Sequence, residues 1–335
     1  MTYVDDALSK NEDAVGVGRK GTIDQPYKLR APFWTVDTLF YAVPKAGNDI
    51  EFVLCCFQRI NWKAKDESTG LPSLSKSAIN NTRLLTPRSG EQVRIGALFA
   101  KIDSLIALHQ RKYEKLKTVK QSLLEKMFPK EGEDVPELRF EGFTDPWEQR
   151  KLGEIAHRVT RKNEEGASDL PLTISAQHGL VDQRDFFGSQ VASRDMRGYY
   201  LLEKGEFAYN KSTSGDSPWG AVKRLARYEK GCLSTLYICF GLDVGDPSFL
   251  VTYYETNRWH KGIRLIAAEG ARNHGLLNIA PRDFFETELT LPGEIEEQSR
   301  IGALFARLDS LIALHQRELE ILKNLKKALL EKMFV

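Results

Sequence analysis

Two short stretches have residue types and spacings that could carry catalytic chemistry. Gly16-Val-Gly-Arg-Lys-Gly21 satisfies the GxGxxG pattern of dinucleotide-binding loops, but it is followed by Thr-Ile-Asp-Gln-Pro26 instead of the helix that would bind a pyrophosphate. Ser217-Pro-Trp219 is close to the Asn/Asp-Pro-Pro-aromatic motif of amino-methyltransferases, but it has one proline and no accompanying glycine-rich cofactor motif. No Walker P-loop, HExxH or GxSxG motif occurs. We therefore expect no catalytic site, and a glycine-rich turn between strands at residues 16–21.

Composition and charge set the broad class of the protein. The 335 residues suffice for about two domains, and no apolar run approaches the roughly 18–20 residues of a membrane helix. The N-terminal residues lack the apolar core of a signal peptide, so we expect a cytoplasmic protein without a membrane partner. The net charge of +2 does not by itself indicate a nucleic-acid partner.

The cysteines and histidines do not form a recognisable metal or disulfide pattern. Cys55, Cys56, Cys232 and Cys239 contain no CxxC pair, and the six histidines are scattered. We expect buried thiols in a reducing compartment and no metal site.

A long internal repeat organises the chain. Residues 91–128 and 297–334 are two segments of 38 residues, offset by 206 positions, and 28 of the 38 aligned residues are identical. Apolar residues recur in each copy at steps of three and four, with a slip near His109, and neither copy contains proline, so each is predicted to be one long helix. Since the second globular unit can bring the chain back, we predict an antiparallel coiled coil. The residues predicted to form this coiled coil and partner interface are Leu98, Ile102, Leu105, Leu116, Leu304, Leu308, Leu311 and Leu322.

The repeat also predicts the domain limits. A fainter similarity precedes each copy, where Gly70–Pro87 aligns with Gly275–Pro292. The predicted parts are a first globular unit at 1–90, a helix at 91–128, a linker at 129–146, a second globular unit at 147–292 and a helix at 293–335. The first unit lacks counterparts to Trp147–Gly205, so we expect it to have an unpaired sheet edge and exposed apolar surface. Both units are expected to mix helices and strands, an α+β fold.

Several motifs give the chain a family resemblance. The entry Val135–Glu154, the segments Thr173–Gln183 and Gly205–Ser212, and the first-unit segments Gly18–Ile23 and Pro32–Phe40 resemble target-recognition domains of type I restriction–modification specificity subunits. The repeated helices are similar to the conserved spacers of that family. The resemblance implies two recognition domains held apart by two long antiparallel helices, in a non-catalytic subunit with a shortened first domain. It also implies double-stranded DNA, methyltransferase (modification) subunits and a restriction subunit as partners, with S-adenosylmethionine, ATP and magnesium belonging to those subunits.

Loop residues that combine cations, amides and hydroxyls are the candidates for DNA contact, because base edges are read by hydrogen bonds and phosphates by cations. In the second unit these are Gln177, His178, Lys211, Ser212, Lys223, Arg224, Arg272, Asn273 and His274, and in the first unit Arg19, Lys20 and Lys76. A solvated loop charge is the alternative interpretation of each.

Two further functions stay open on the sequence alone. A partial or recombined specificity subunit could act mainly as a protein-interaction scaffold with impaired DNA readout, because its first unit is short. An autonomous methyltransferase or nuclease is disfavoured by the missing cofactor and nucleotide motifs.

Overall fold

The computed structural model describes residues 7–66, 68–175, 179–189, 191–193, 195–214, 217–267 and 275–334. The chain divides into two compact units. Unit 1 comprises Met1–Lys115 and Ile312–Val335, and unit 2 comprises Leu116–Leu311. Each of the two long helices contributes residues to both units. The domain limits inferred from the sequence stay a prediction.

Unit 1 combines a small antiparallel sheet with short helices. Its elements are β1 (Ala14–Gly18), β2 (Tyr27–Leu29), β3 (Leu39–Ala42), α1 (Ile50–Arg59), a 3-10 helix (Trp62–Lys65), α2 (Lys76–Asn80) and the start of α3 (Ser89–Lys126). The strand order is β2-β1-β3, with Val15 opposite Lys28 on one side and Ala42 on the other. Val15, Val17, Leu54, Phe57 and Trp62 form its core. Gly16 and Gly18 therefore lie within β1, and of the three glycines of the GxGxxG stretch only Gly21 lies beyond the strand, in a left-handed conformation.

Unit 2 is larger, and its described residues form four small antiparallel sheets. Its elements are β4 (Glu148–Lys151), α4 (Leu152–Ile155), β5 (Ala156–Arg158), β6 (Leu172–Ser175), β7 (Gly179–Asp182), α5 (Gln183–Phe187), β8 (Tyr200–Glu203), β9 (Phe207–Asn210), β10 (Ala221–Arg224), β11 (Lys230–Leu233), β12 (Ile238–Leu242), α6 (Pro247–Tyr253), α7 (His260–Ala267), α8 (Pro281–Phe285), β13 (Glu288–Leu291) and the start of α9 (Ile295–Met333). The largest sheet has the order β10-β9-β12-β5, and the pairs β11-β8, β13-β4 and β6-β7 form the others. Phe207 stacks on Phe240, and Tyr209 on Phe284, in its core.

The central sheets of the two units share a three-strand plan. β1 lies between β2 and β3, just as β9 lies between β10 and β12, but β12 pairs further with β5. In the described part of unit 1, β3 has no such neighbour, and the nearby Trp34 and Val36 are 49% and 55% exposed. Among these residues, β3 is therefore an edge strand with exposed apolar side chains nearby.

The two long helices pack antiparallel in each unit. In unit 1, Asp103 binds Lys326 at 2.6 Å and His109 Nδ1 lies 3.1 Å from His315 Nδ1, so the numbering falls along α9 as it rises along α3. In unit 2, Lys120 binds Asp309 at 2.5 Å. The two ion pairs join the same repeat positions, 206 residues apart. The predicted antiparallel helix pair is confirmed.

Burial along the helices differs between the residues of the predicted interface. Ile102 and Leu308 are buried, Leu105, Leu116, Leu304, Leu311 and Leu322 are half-buried, and Leu98 is 40% exposed. The neighbouring Phe99 is only 1% exposed and packs against Phe334, so this aromatic ring fills the seam where the sequence pattern placed a leucine.

Each globular part is attached to a long helix by the same contact. In unit 1, Asp49 caps α1 by accepting from the Phe52 amide at 2.9 Å, while its own amide donates to Gln92 Oε1 at 3.1 Å. Gly96, one turn along α3, leaves room for this capped end, because a Cβ there would lie 2.9 Å from the Phe52 nitrogen.

Unit 2 repeats this attachment with Asp246, Gln298 and Gly302. The Asp246 amide donates to Gln298 Oε1 at 2.9 Å, and a Cβ on Gly302 would lie 2.6 Å from the Phe249 nitrogen. Both glutamines also donate to a proline carbonyl, Pro87 in unit 1 and Pro292 in unit 2, and these prolines end the two upstream segments that align in the sequence.

Residues 129–146 belong to unit 2 and pack on the first turns of α9. Arg139 forms two hydrogen bonds, of 2.7 and 2.8 Å, with Glu297, whose side chain is 1% exposed. Arg300 stacks over the ring of Phe140 at 4.5 Å. Bidentate pairing of this kind stabilises a buried carboxylate, so the connector is held at a defined place on the helix.

Across the described residues, no helix combines the length and the apolar character that crossing a membrane requires.

We expect the Gly302→Ala substitution to lower the free energy of unfolding by about 1–3 kcal/mol, because the added methyl group overlaps backbone atoms of α6. Gly90, also in a long helix, has open space around its Cα. Gly90→Ala should therefore leave stability unchanged or raise it by up to about 1 kcal/mol, as helix propensity predicts. Urea denaturation of both variants provides the measurement, and equal effects would contradict the close-approach argument.

The histidine contact predicts a pH dependence of stability. Burial, followed by His109 and Lys112, lowers the pKa of His315 from its usual 6.5. Below about pH 6.5 the unfolded chain therefore binds a proton that the folded chain does not, so stability falls as the pH drops through this value. His315→Gln should reduce the difference between melting temperatures at pH 7.5 and pH 5.5. An unchanged difference would show that other groups cause it.

Candidate nucleic-acid interface

In both units, the central strand of the main sheet is followed by a segment that contains cationic residues. A segment from later in the sequence forms backbone hydrogen bonds with it. After β1, the Arg19 carbonyl accepts a hydrogen bond from the Leu74 amide at 2.9 Å, and the backbone of Lys20 forms an isolated antiparallel β-bridge with Ser73. Lys76 begins α2 two residues beyond Leu74. The structure thus brings together the three first-unit residues predicted from the sequence.

Unit 2 has the same arrangement after β9. The Lys211 carbonyl accepts a hydrogen bond from the Leu277 amide at 3.0 Å, and the backbone of Ser212 forms an isolated antiparallel β-bridge with Leu276. Thr213 adds a hydrogen bond from its hydroxyl to the Gly275 carbonyl, also at 3.0 Å. The backbone of both cationic segments is therefore fixed, while Lys20 and Ser212 remain exposed.

The cations differ in how far they are free to bind an anion. The Arg19 guanidinium donates to the Asp37 carbonyl at 3.3 Å and lies over the Phe40 ring, which orients it. Lys211 is half-buried, and desolvation lowers its pKa. A phosphate beside Lys211 would favour its charged form and would be bound more strongly for lack of competing water.

Strand β10 carries the other two predicted cations of unit 2. Lys223 lies opposite Ala208 and Arg224 opposite Phe207 in the pairing with β9. Arg224 Nε donates to the Gly205 carbonyl at 3.3 Å, so its guanidinium is anchored at the β8–β9 turn.

Lys223 borders a cavity of about 350 Å³ whose wall includes polar residues that sequence reasoning missed. Asn257 and His260 line it, together with Tyr254, whose buried hydroxyl has no hydrogen-bond partner among the described residues. Burial lowers the pKa of His260, so a neutral imidazole that can both donate and accept is favoured. No sequence pattern singles out Asn257 and His260, because these residues come after α6 and belong to no repeated polar pattern.

Five of the sequence-predicted positions, Gln177, His178, Arg272, Asn273 and His274, lie outside the described residues. They remain predictions.

A comparison with protein families identifies the first part of the chain. Residues 5–118, which contain the unit 1 sheet and most of α3, match the model described as the type I restriction modification DNA specificity domain. The family resemblance predicted from the sequence is confirmed.

A solved structure supports the fold over nearly the whole chain. The type I restriction–modification system S subunit from M. genitalium aligns with a TM-score of 0.67 at 14% identity, over 98% of this chain and 84% of that one. The HsdS subunit from Thermoanaerobacter tengcongensis aligns with a TM-score of 0.43 at 16% identity, over 97% of this chain and 81% of that one. Among curated proteins, no sequence matches significantly. The mixed helix-and-strand fold with two long packed helices is therefore similar to that of the M. genitalium subunit.

If these cationic segments bind DNA phosphates, Lys211→Ala and Lys20→Ala should each weaken binding to every duplex sequence. Each lost phosphate contact should reduce the slope of log K against log salt concentration by about 0.9. Lys204, an exposed lysine of unit 2 that pairs with Glu229, provides the matched control, and Lys204→Ala should leave the slope unchanged. Fluorescence anisotropy over a salt series measures all three, and equal slopes would place DNA elsewhere.

Proposed function

We propose that the chain is the sequence-specific, double-stranded-DNA-binding specificity subunit of a type I restriction–modification complex in the cytoplasm. In this function it directs methyltransferase and restriction subunits to a bipartite site and catalyses no reaction itself. The observation that carries the proposal is the recurrence of one loop arrangement, with Arg19 and Lys20 after β1 and Lys211 and Ser212 after β9. Two such segments on one chain would let it contact two half-sites.

The two segments supply positioning contacts, and the neighbouring side chains would supply readout. Lysines bind phosphates as point charges, whereas amides and imidazoles can pair with base edges. We assign readout in unit 2 to the predicted Asn273 and to Asn257 and His260, which line the cavity beside Lys223. S-adenosylmethionine, ATP and magnesium would be bound by the partner subunits.

The long helices are the proposed binding sites of the methyltransferase subunits. Polar residues are identical in both repeats at positions the seam does not require, such as Gln110 and Gln316. Equal outer surfaces on two helices favour equal partners, one for each repeat.

A second candidate function is a protein-interaction scaffold with impaired DNA readout. The open β3 edge and the exposed Trp34 and Val36 favour it, since an unpaired sheet edge and exposed apolar surface lower the stability of a domain. In that case only unit 2 would read DNA well.

Methylation mapping separates the two functions. We expect purified chain alone to transfer no methyl group from S-adenosylmethionine to DNA, and to direct methylation once a type I methyltransferase subunit is added. Two well-defined half-sites would support the bipartite reader. One defined half-site, or a palindrome, would support the impaired first unit, whereas methylation by the chain alone would refute both.

A further inference from the structure

A groove in unit 1 has a strongly cationic rim. Its cavity measures about 320 Å³ and is lined by Gln58, Arg59, Ile106, Lys323, Lys326, Lys327, Leu330 and Glu331. Four of these side chains are cationic and one is a carboxylate. Arg59, Lys323 and Lys327 are exposed and have no ion-pair partner within the described residues.

The internal repeat provides a comparison for this groove. Lys117, Lys120 and Gln121 occupy the helix positions equivalent to Lys323, Lys326 and Lys327. In the short helices, aligning Asp49 with Asp246 and Trp62 with Trp259 places Glu255 and Thr256 opposite Gln58 and Arg59. This alignment is supported by the equal caps and by the indole nitrogens, each of which donates to a carbonyl five residues earlier.

The equivalent positions of unit 2 lack the excess positive charge. Glu255 binds Lys120 at 2.7 Å, and that lysine also binds Asp309. In unit 1, Lys326 keeps the matching contact with Asp103, but an uncharged Gln58 replaces the second carboxylate. Glu255 neutralises its lysine from within the chain, whereas the unit 1 groove is left without that negative charge.

The lining of the groove favours a protein segment over DNA. Ile106 and Leu330 contribute aliphatic side chains to the lining, and Lys326 is largely buried, with a side chain 17% exposed. A duplex presents phosphates on a convex surface and needs protruding cations, whereas an acidic side chain next to an apolar one can reach into such a groove. Charge complementarity then selects a segment with carboxylates around one aliphatic or aromatic residue.

We propose that this groove binds an acidic, amphipathic segment of a methyltransferase subunit, and that unit 2 has no equivalent contact. The inference rests on the proposed function, because it takes the partner from there. One of two otherwise matched partner subunits is then bound through an additional contact, which makes the complex asymmetric at the helices.

The test uses the full chain, a purified type I methyltransferase subunit that assembles with it, and isothermal titration calorimetry. We expect Lys323→Glu with Lys327→Glu to weaken assembly at least about tenfold, because like charges then face each other. High salt should narrow the difference in affinity between this variant and the wild-type chain. The matched control is Lys117→Glu with Gln121→Glu, at the equivalent positions, which should change assembly much less. Unchanged thermal unfolding of both double variants shows that folding is intact.

Each result bears on the proposal. Equal assembly by the wild-type chain and the Lys323/Lys327 variant would overturn the groove while leaving the proposed function in place. If the Lys323/Lys327 variant loses DNA binding but still assembles, the groove binds DNA instead, and the proposal is also overturned. If even the wild-type chain does not assemble with any methyltransferase subunit, the proposed function fails, and this inference fails with it.

Discussion

The close approach of a capped helix end to a glycine on a long helix is the constraint on which both units depend. At Gly96 and Gly302 the helix surface has no side chain, so the backbone of α1 or α6 can lie directly against it. The glutamine four positions earlier, Gln92 or Gln298, then binds the amide of the capping aspartate. A larger residue would separate the globular part from the helix. The cationic segments after β1 and β9 are thereby held at a fixed place relative to the helix within their own unit.

Repetition explains why the helices could be predicted so completely from the sequence. Two 38-residue copies with matching stripes leave little choice of partner, and the exchanged ion pairs, Asp103 with Lys326 and Lys120 with Asp309, show the symmetry directly. The slip in the stripe near His109 marks the place where two histidines meet. Within the seam, the pattern could not decide between Leu98 and Phe99, because burial there depends on the ring of Phe334, which is distant in sequence.

The candidate interface was less predictable for physical reasons. Arg19, Lys20, Lys211 and Ser212 were found because cations and hydroxyls stand out in loops, yet their pinning by Leu74 and Leu277 depends on backbone hydrogen bonds that leave no composition signal. Asn257 and His260 acquire meaning only through the cavity they share with Lys223. Likewise, the cationic groove of unit 1 combines residues that are about 265 positions apart, and it stands out only beside its copy in unit 2.

The discontinuity of unit 1 has a consequence for synthesis of the chain. Its core includes Phe334 stacked on Phe52, but residues 312–334 leave the ribosome only after the whole of unit 2. Unit 2 is continuous, so its sheets and the Arg139–Glu297 pair can form while the end of α9 is still being made. Domains usually fold in order from the N-terminus as they emerge. Here unit 1 cannot be completed until unit 2 has been translated, so residues 7–115 stay incompletely packed for longer and are exposed for longer to chaperones and proteases.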